Sequence, residues 1–267
     1  SPADLLITVD AGRLWRAEQA GIFQPVNSAV LADRLPDNMR HPEGLWMGLS
    51  KRARVIVYNR AAGMPEPLAT YADLASPVHK GKVCIRSSSN IYNISLMASI
   101  VARNGEAAAE EWAVGVVANF ARTPQSNDTG QIRAVASGEC GIAIANTYYL
   151  ARLAASEDPQ DQAVAAAVGI VFPDQEGNGT HVNISGAGLV KTAPNPENAI
   201  RFLEYLASDQ AQLLFANGNY EYPAVPGIAA TSTVVALGDF AEDSLSTSEL
   251  GVHQAAALMV FDRAGWK

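Results

Sequence analysis

Short apolar runs alternate along the chain with stretches of helical composition, and polar or glycine-containing punctuation separates them. That alternation predicts an α/β protein with parallel sheets. Residues 5–9 (Leu-Leu-Ile-Thr-Val) read as a buried strand that ends at Asp10-Ala11-Gly12, and a helix rich in Ala, Arg and Glu follows to Gly21. Residues 54–58 form the next clear strand, closed by Asn59. The stretch 61–67, with Gly63, Pro65 and Pro67, reads as a connection between two lobes, because Pro and Gly extend neither helix nor strand.

Residues 82–86 predict a strand running into Ser87, Ser88, Ser89 and Asn90, strong helix-capping residues, and then a helix through Val101. A second helix spans 107–121, and a third, capped by Asn127, Asp128 and Thr129, ends near Gly138. Residues 141–145 are a strand that Asn146-Thr147-Tyr148-Tyr149 turns into a helix reaching about Ala155. Residues 168–172 are another strand, and 181–190 a long extended stretch in which Gly186 and Gly188 mark close packing. A helix follows with Asn195 as cap, Pro196 in its first position and Glu197 in its first turn, stopped by Asn217-Gly218. The last forty or so residues read as small helices and loops, and no internal repeat is visible.

Composition narrows the class. With 48% hydrophobic and 17% charged residues in 267, the chain is a folded globular protein of one large or two modest lobes. No apolar run approaches the ~18 residues of a membrane helix, so it does not span a membrane. A net charge of −8 argues against a nucleic-acid partner and suits either a protein that meets cations or an ordinary solvated acidic surface. Cys84 and Cys140 form no CxxC pair; the expectation is two buried free thiols, with a disulfide the alternative if the fold brings their strands together. The opening Ser-Pro-Ala-Asp does not read as a signal peptide, so the expected start is that of a mature protein or a point partway through a fold.

Candidate chemistry gathers at two strand-to-helix junctions, residues 86–93 and 145–152, the kind of place where open α/β sheets bind ligands. Each carries tyrosine just beyond its strand: Tyr92 in the first, Tyr148 and Tyr149 in the second. Adjacent tyrosines inside a strand face opposite sides, whereas at a turn both phenols can converge. Three clustered hydroxyls need partners, and a hard trivalent cation supplies them by fixing the phenolate form. A plain core with one tyrosine buried and one at the surface is the competing reading. The four histidines lack metal spacing, and no GxSxG, Walker A loop or dinucleotide fingerprint appears, so no enzyme is indicated. Ser87, Ser88, Ser89 and Asn90 either cap their helix or cradle an anion, which leaves a small oxyanion such as sulfate or phosphonate as the alternative cargo. Asp10 is either a helix cap or a cleft-facing ligand.

Asn146-Thr147-Tyr148-Tyr149 resembles the Asn-x-Tyr-Tyr signature of periplasmic ferric-binding proteins. The segments at 3–14, 52–58, 86–93 and 131–139, Glu221-Tyr222-Pro223 and the final Gly265-Trp266 are similar to the cyanobacterial and marine branch of that family. The resemblance implies a type II periplasmic-binding fold, two α/β lobes joined by a two-strand hinge. It divides the chain into 1–60 with 181–225 as the first lobe and 61–180 with 226–267 as the second, which carries the tyrosine cluster. It further implies ferric iron as cargo, with ferrous iron a second candidate, and Tyr92, Tyr148 and Tyr149 as ligands. Arg152 matches an arginine that hydrogen-bonds behind them, and Asp10 lies where a more distant branch uses a carboxylate. The implied setting is the periplasm, as a monomer delivering iron to an inner-membrane ABC permease. Family members begin with a further strand–turn–helix unit bearing another tyrosine, so the resemblance implies a first lobe incomplete at its N-terminus.

Overall fold

The computed structural model describes residues 2–125 and 127–267; Ser1 and Ser126 lie outside the described residues. In chain order the first elements are β1 (Leu5–Val9), α1 (Ala11–Gln19), β2 (Phe23–Gln24), α2 (Ala29–Arg34), β3 (Met47–Asn59) and β4 (Val83–Cys84). Then come α3 (Ile91–Ala118), α4 (Asp128–Ala136), β5 (Ile142–Asn146), α5 (Thr147–Ala154), α6 (Pro159–Ala167), β6 (Val168–Val171) and β7 (Val182–Val190). The chain ends with α7 (Pro196–Leu206), α8 (Asp209–Asn219), β8 (Tyr222–Pro223), α9 (Ser232–Val235), α10 (Glu249–Val252) and α11 (Gln254–Ala264).

One strand organises the molecule. The first half of β3, Met47 to Ala53, pairs antiparallel with β7, while its second half, Arg54 to Tyr58, pairs antiparallel with β5. The chain therefore passes from one sheet to the next between Ala53 and Arg54, and the connection expected at 61–67 instead follows a strand already inside the second sheet. Around β7 and the first half of β3 are β1, β2 and β8; around the second half are β5, β6 and β4. Among the named strand pairs only β4–β5 is parallel, so the expectation of parallel sheets is corrected. The cause is that β3, which crosses from one sheet to the other, and β7 run against their neighbours on both sides.

Alternation along β3 explains how the second sheet is covered on both faces. Ile56 belongs to the cluster of Trp112, Phe261 and Trp266, whereas Val55 and Val57 belong to the cluster of Ile132, Ala143 and Ala145. Successive strand residues point to opposite faces, so each face receives its own core. The first sheet packs Leu14, Trp46, Ile184 and Leu203 into a third cluster. In β7, a Cβ on Gly186 would lie 2.4 Å from the Met47 carbonyl oxygen and one on Gly188 2.5 Å from that of Leu45. The close packing expected of both glycines is thus present.

Other expectations need adjustment. β1 is half-buried, not buried: Ile7 is 54% exposed, and among the described residues the strand pairs on one side only, with β7. The long helix expected after Asn195 is two, because Ser208 accepts the Ala211 N–H and starts a new helix. The two helices expected at 91–101 and 107–121 are both present within α3, parted by a kink at Gly105, where φ is 81° and ψ 164°. Cys84 and Cys140 are joined in a disulfide, contrary to the free thiols expected. Parallel pairing sets Val83 opposite Ile142 and Cys84 opposite Ala143, which brings Cys140, two residues ahead of β5, beside Cys84.

Candidate metal centre

Both candidate junctions lie side by side at the end of the second sheet. At the first, Asn90 caps α3 by accepting the Tyr92 and Asn93 N–H groups, at 3.2 and 3.4 Å, which fixes Tyr92 in the first turn. At the second, Asn146 occupies the cap position of α5 without a side-chain cap, and Thr147 accepts the Ala53 N–H at 3.3 Å. That junction is thereby pinned to the crossing point of β3.

The phenols converge. The Tyr148 hydroxyl donates to the Tyr92 hydroxyl at 3.1 Å, and the rings of Tyr148 and Tyr149 meet at a tilt of 30° with centroids 4.3 Å apart. The turn thus sends adjacent residues to the same place, which a continued strand would not do. Tyr148 is buried, and burial together with its two tyrosine neighbours pushes its hydroxyl well above the ordinary phenol range. Burial also pushes Tyr149 up, with Asp128 and Tyr92 adding to the effect; its hydrogen bond with Tyr148 and the Arg86 guanidinium pull it partly back. Left alone Tyr148 and Tyr149 stay protonated, and three hydroxyls in one place are a costly use of a partly buried surface.

Positive charge surrounds them. The guanidinium groups of Arg86, Arg52 and Arg54 lie 5.3, 5.5 and 6.0 Å from the Tyr92 ring centroid. Arg152 reaches Tyr148 as expected, one turn along α5, but it lies over the ring, 4.9 Å from its centroid. Behind the phenols is a buried polar cage that sequence reasoning missed. Arg54 donates to Asp128 at 3.1 Å, to the Asn146 side chain at 2.9 Å and to that of Asn93 at 2.6 Å. Asp128 also accepts the Asn146 N–H at 2.9 Å and faces Arg86 at 3.4 Å. Asn93 in turn donates to the carbonyls of Arg86 and Ser87. Arg54 therefore ties the residue after Tyr92 to the residue two before Tyr148. A signal was available: Arg52 and Arg54 sit two apart in an apolar strand and so share a face, an arrangement a core tolerates only around a partner.

Asp10 is not among the phenols' partners. It is fully buried and resolves as the cap of α1, accepting the Gly12 N–H at 2.9 Å, Ser95 at 2.6 Å and Asn183 at 3.0 Å. Arg52 stands 3.8 Å away. With its lone pairs so occupied, Asp10 links α1, β7 and α3 near the crossing strands. The serines do not form an anion cradle either: Asn90 is spent on its own helix, and the Ser87 and Ser89 hydroxyls pair with each other at 2.9 Å. Helix capping accounts for Asn90, the serines belong to the loop before it, and the oxyanion alternative loses its support.

The chain matches the family model of bacterial extracellular solute-binding proteins over residues 1–236. It is 54% identical to Iron uptake protein A1 of Synechocystis sp. over all 267 residues, spanning 74% of that protein, and 52% identical to Iron uptake protein A2 of the same organism, spanning 78%. A solved structure of a Trichodesmium protein (IdiA, FutA) in complex with iron and citrate ligands superposes with a TM-score of 0.98 at 56% identity, covering all of this chain and 84% of that one. The fold is that of type II periplasmic-binding proteins, and the chain is a member of the bacterial extracellular solute-binding protein family, in the group that holds these iron uptake proteins.

Proposed function

We propose that this chain is the solute-binding component of an iron(III) ABC importer and that Tyr92, Tyr148 and Tyr149 are its ligands to the ion. The observation that carries the reading is the convergence of three phenols from two junctions, with 3.1 Å between the Tyr148 and Tyr92 hydroxyls. Phenolates are hard donors and favour a trivalent over a divalent cation. Each phenol that binds must first lose a proton, so capture releases protons and acidification favours release. Arg52, Arg54 and Arg86 lower the cost of forming phenolates side by side before the trivalent ion balances them, and Arg152 braces the Tyr148 ring. Asp10 stays out of the coordination sphere and fixes the hinge. Relatives named for iron uptake and for ferric binding support iron as the cargo.

The chain works by binding and handing over its cargo, not by catalysis, in the periplasm and as a monomer, passing iron to an inner-membrane permease. A buried disulfide fits an oxidising compartment. The lobe boundary expected after residue 60 moves to the crossing between Ala53 and Arg54, so the two lobes are 1–53 with 181–225 and 54–180 with 226–267, and all three phenols belong to the second. The decisive experiment adds ferric citrate to the apo-protein and records the visible spectrum. A phenolate-to-iron charge-transfer band is expected, absent from the Tyr148→Phe, Tyr149→Phe double variant. A colourless mixture with the unaltered protein sinks the proposal.

A further inference from the structure

A cavity of about 700 Å³ lies away from the tyrosines, behind the crossing strands. Its walls include Tyr71, Ile100, Trp112 and Phe172, and α3 passes it at the Gly105 break. Two of its residues hold the crossing point directly. The Tyr71 hydroxyl donates to the Arg54 carbonyl, and the carbonyl of His181 accepts the Arg54 N–H at 3.1 Å. The volume is that of a site for a drug-sized molecule.

What such a molecule must look like follows from the polar groups left over. Most of the donors are spent: the Trp112 indole N–H goes to the Tyr71 carbonyl, the Ser99 hydroxyl to Leu96, and the Gln175 amide to Pro173, Thr180 and Ala241, while the amides of Asn104 and Asn178 sit at the exposed rim. Arg103 is committed to Asp243, which also accepts the Leu245 N–H. Burial, with Arg54 and Arg52 nearby, pushes His181 down to about 3, so its ring is neutral. Asp174 remains. Its carboxylate has no cation within ion-pair distance among the described residues, and the exposed Glu176 adds negative charge at the rim. Burial, with Asp243 and Asp73 close by, pushes Asp174 up; a hydrogen bond from the Tyr71 N–H pulls it partly back but brings no cation to it. A metal ion does not suit the place, because no group of three or more His, Cys, Asp or Glu residues is assembled among the described residues.

We propose that this cavity is a second ligand site, for an organic cation with an aromatic or aliphatic body, its ammonium group held by Asp174. The body lies against Trp112, Ile100 and Phe172, where an aromatic wall also favours the cation. Because Tyr71 and His181 line the cavity and hold Arg54, an occupant bears on the crossing strands from the side opposite the iron ligands.

The test is calorimetric titration and thermal shift on the whole protein. The probes are 2-phenylethylammonium, tryptammonium and benzyltrimethylammonium, compared with uncharged 2-phenylethanol and anionic benzoate. At least one ammonium probe is expected to bind saturably at one site and to raise the melting temperature. The alcohol should bind roughly tenfold more weakly or worse, the scale of a lost charge-assisted contact. Asp174→Asn should weaken the ammonium probes by a similar factor while keeping the iron band; at φ 61° asparagine is well tolerated. Binding should persist in the Tyr148→Phe, Tyr149→Phe variant, which separates this site from the iron site. The idea is overturned if no ammonium probe binds in the millimolar range, if benzoate or the alcohol binds as well, or if Asp174→Asn changes nothing. The comparison of ammonium with alcohol needs no variant, so it decides the question even if Asp174→Asn proves unstable.

Discussion

Replacing Arg54 by methionine tests whether the cage behind the phenols holds the two junctions together. The side chain is buried and makes three hydrogen bonds, to Asp128, Asn146 and Asn93. Methionine fills most of the space but leaves Asp128, fully buried, with only the 3.4 Å contact to Arg86 and the Asn146 N–H. Breaking one partner of a buried ion pair costs about 3–5 kcal/mol, and each orphaned acceptor adds to the cost without summing simply. For a chain of this size that is a fall in melting temperature of roughly 10 °C. Asp128→Leu in the same chain should restore at least half of the loss, since the uncompensated charge goes with it. Urea unfolding of the apo-proteins measures both, and the ferric charge-transfer band of each reports on the phenols. Weakening of the band is expected to accompany the single change, because Asn93 and Asn146 flank Tyr92 and Tyr148 in sequence. A loss below about 1 kcal/mol for Arg54→Met, or a double variant no better than the single, would refute the reasoning.

Two further outcomes follow from buried groups elsewhere. Removing the disulfide by Cys84→Ala with Cys140→Ala frees a sequence separation of 56 residues; the loop-entropy relation gives about 4 kcal/mol, to be checked by denaturant midpoints with and without reductant. His181 is buried and pushed from 6.5 to about 3, so the unfolded chain binds the proton the native state refuses. Its stabilising contribution is fully present above pH 6.5 and is lost as the pH falls toward 3, at about 1.4 kcal/mol per pH unit inside that window. His181→Gln should flatten this part of the stability–pH curve; an unchanged acid limb would remove the group from the account.

The pattern of apolar runs revealed the strands and most helices because burial is written locally, in which residues face inward. What it did not reveal was direction. Whether residues 54–58 run with or against 141–145 depends on the path between them, and the crossing at Ala53 and Arg54 lies inside one continuous strand with no turn residue to mark it. The disulfide escaped for a related reason, since its formation depends on the register of β4 against β5. Tyr92, Tyr148 and Tyr149 were legible because a strand-to-helix junction has a known geometry. Arg54, Asp128 and Asn93 were not, because each is an ordinary capping or strand residue until three distant segments meet. Asp128 sits in a sequence pattern that spells a helix cap, and in the fold it is the anion at the centre of the cage.

Asp10 shows why a carboxylate at a cleft need not be a ligand. Its backbone is held at φ 79°, a conformation unusual for a residue other than glycine, and its side chain caps the helix that starts beside it. Of its three hydrogen bonds, those from Gly12 and Asn183 come from its own helix and from the strand paired with β1. The third comes from Ser95 on α3, the helix that carries Tyr92. A hinge motion that parts α1 from α3 therefore breaks one of the three and leaves Asp10 capped and paired. The net cost of one such bond is about 1 kcal/mol, because both groups regain water. That is small against the free energy of binding a trivalent cation, so the Asp10–Ser95 bond does not decide whether the cleft stays closed. A ligand role would have required Asp10 to give up its cap on each cycle; its place in the fold spares it that.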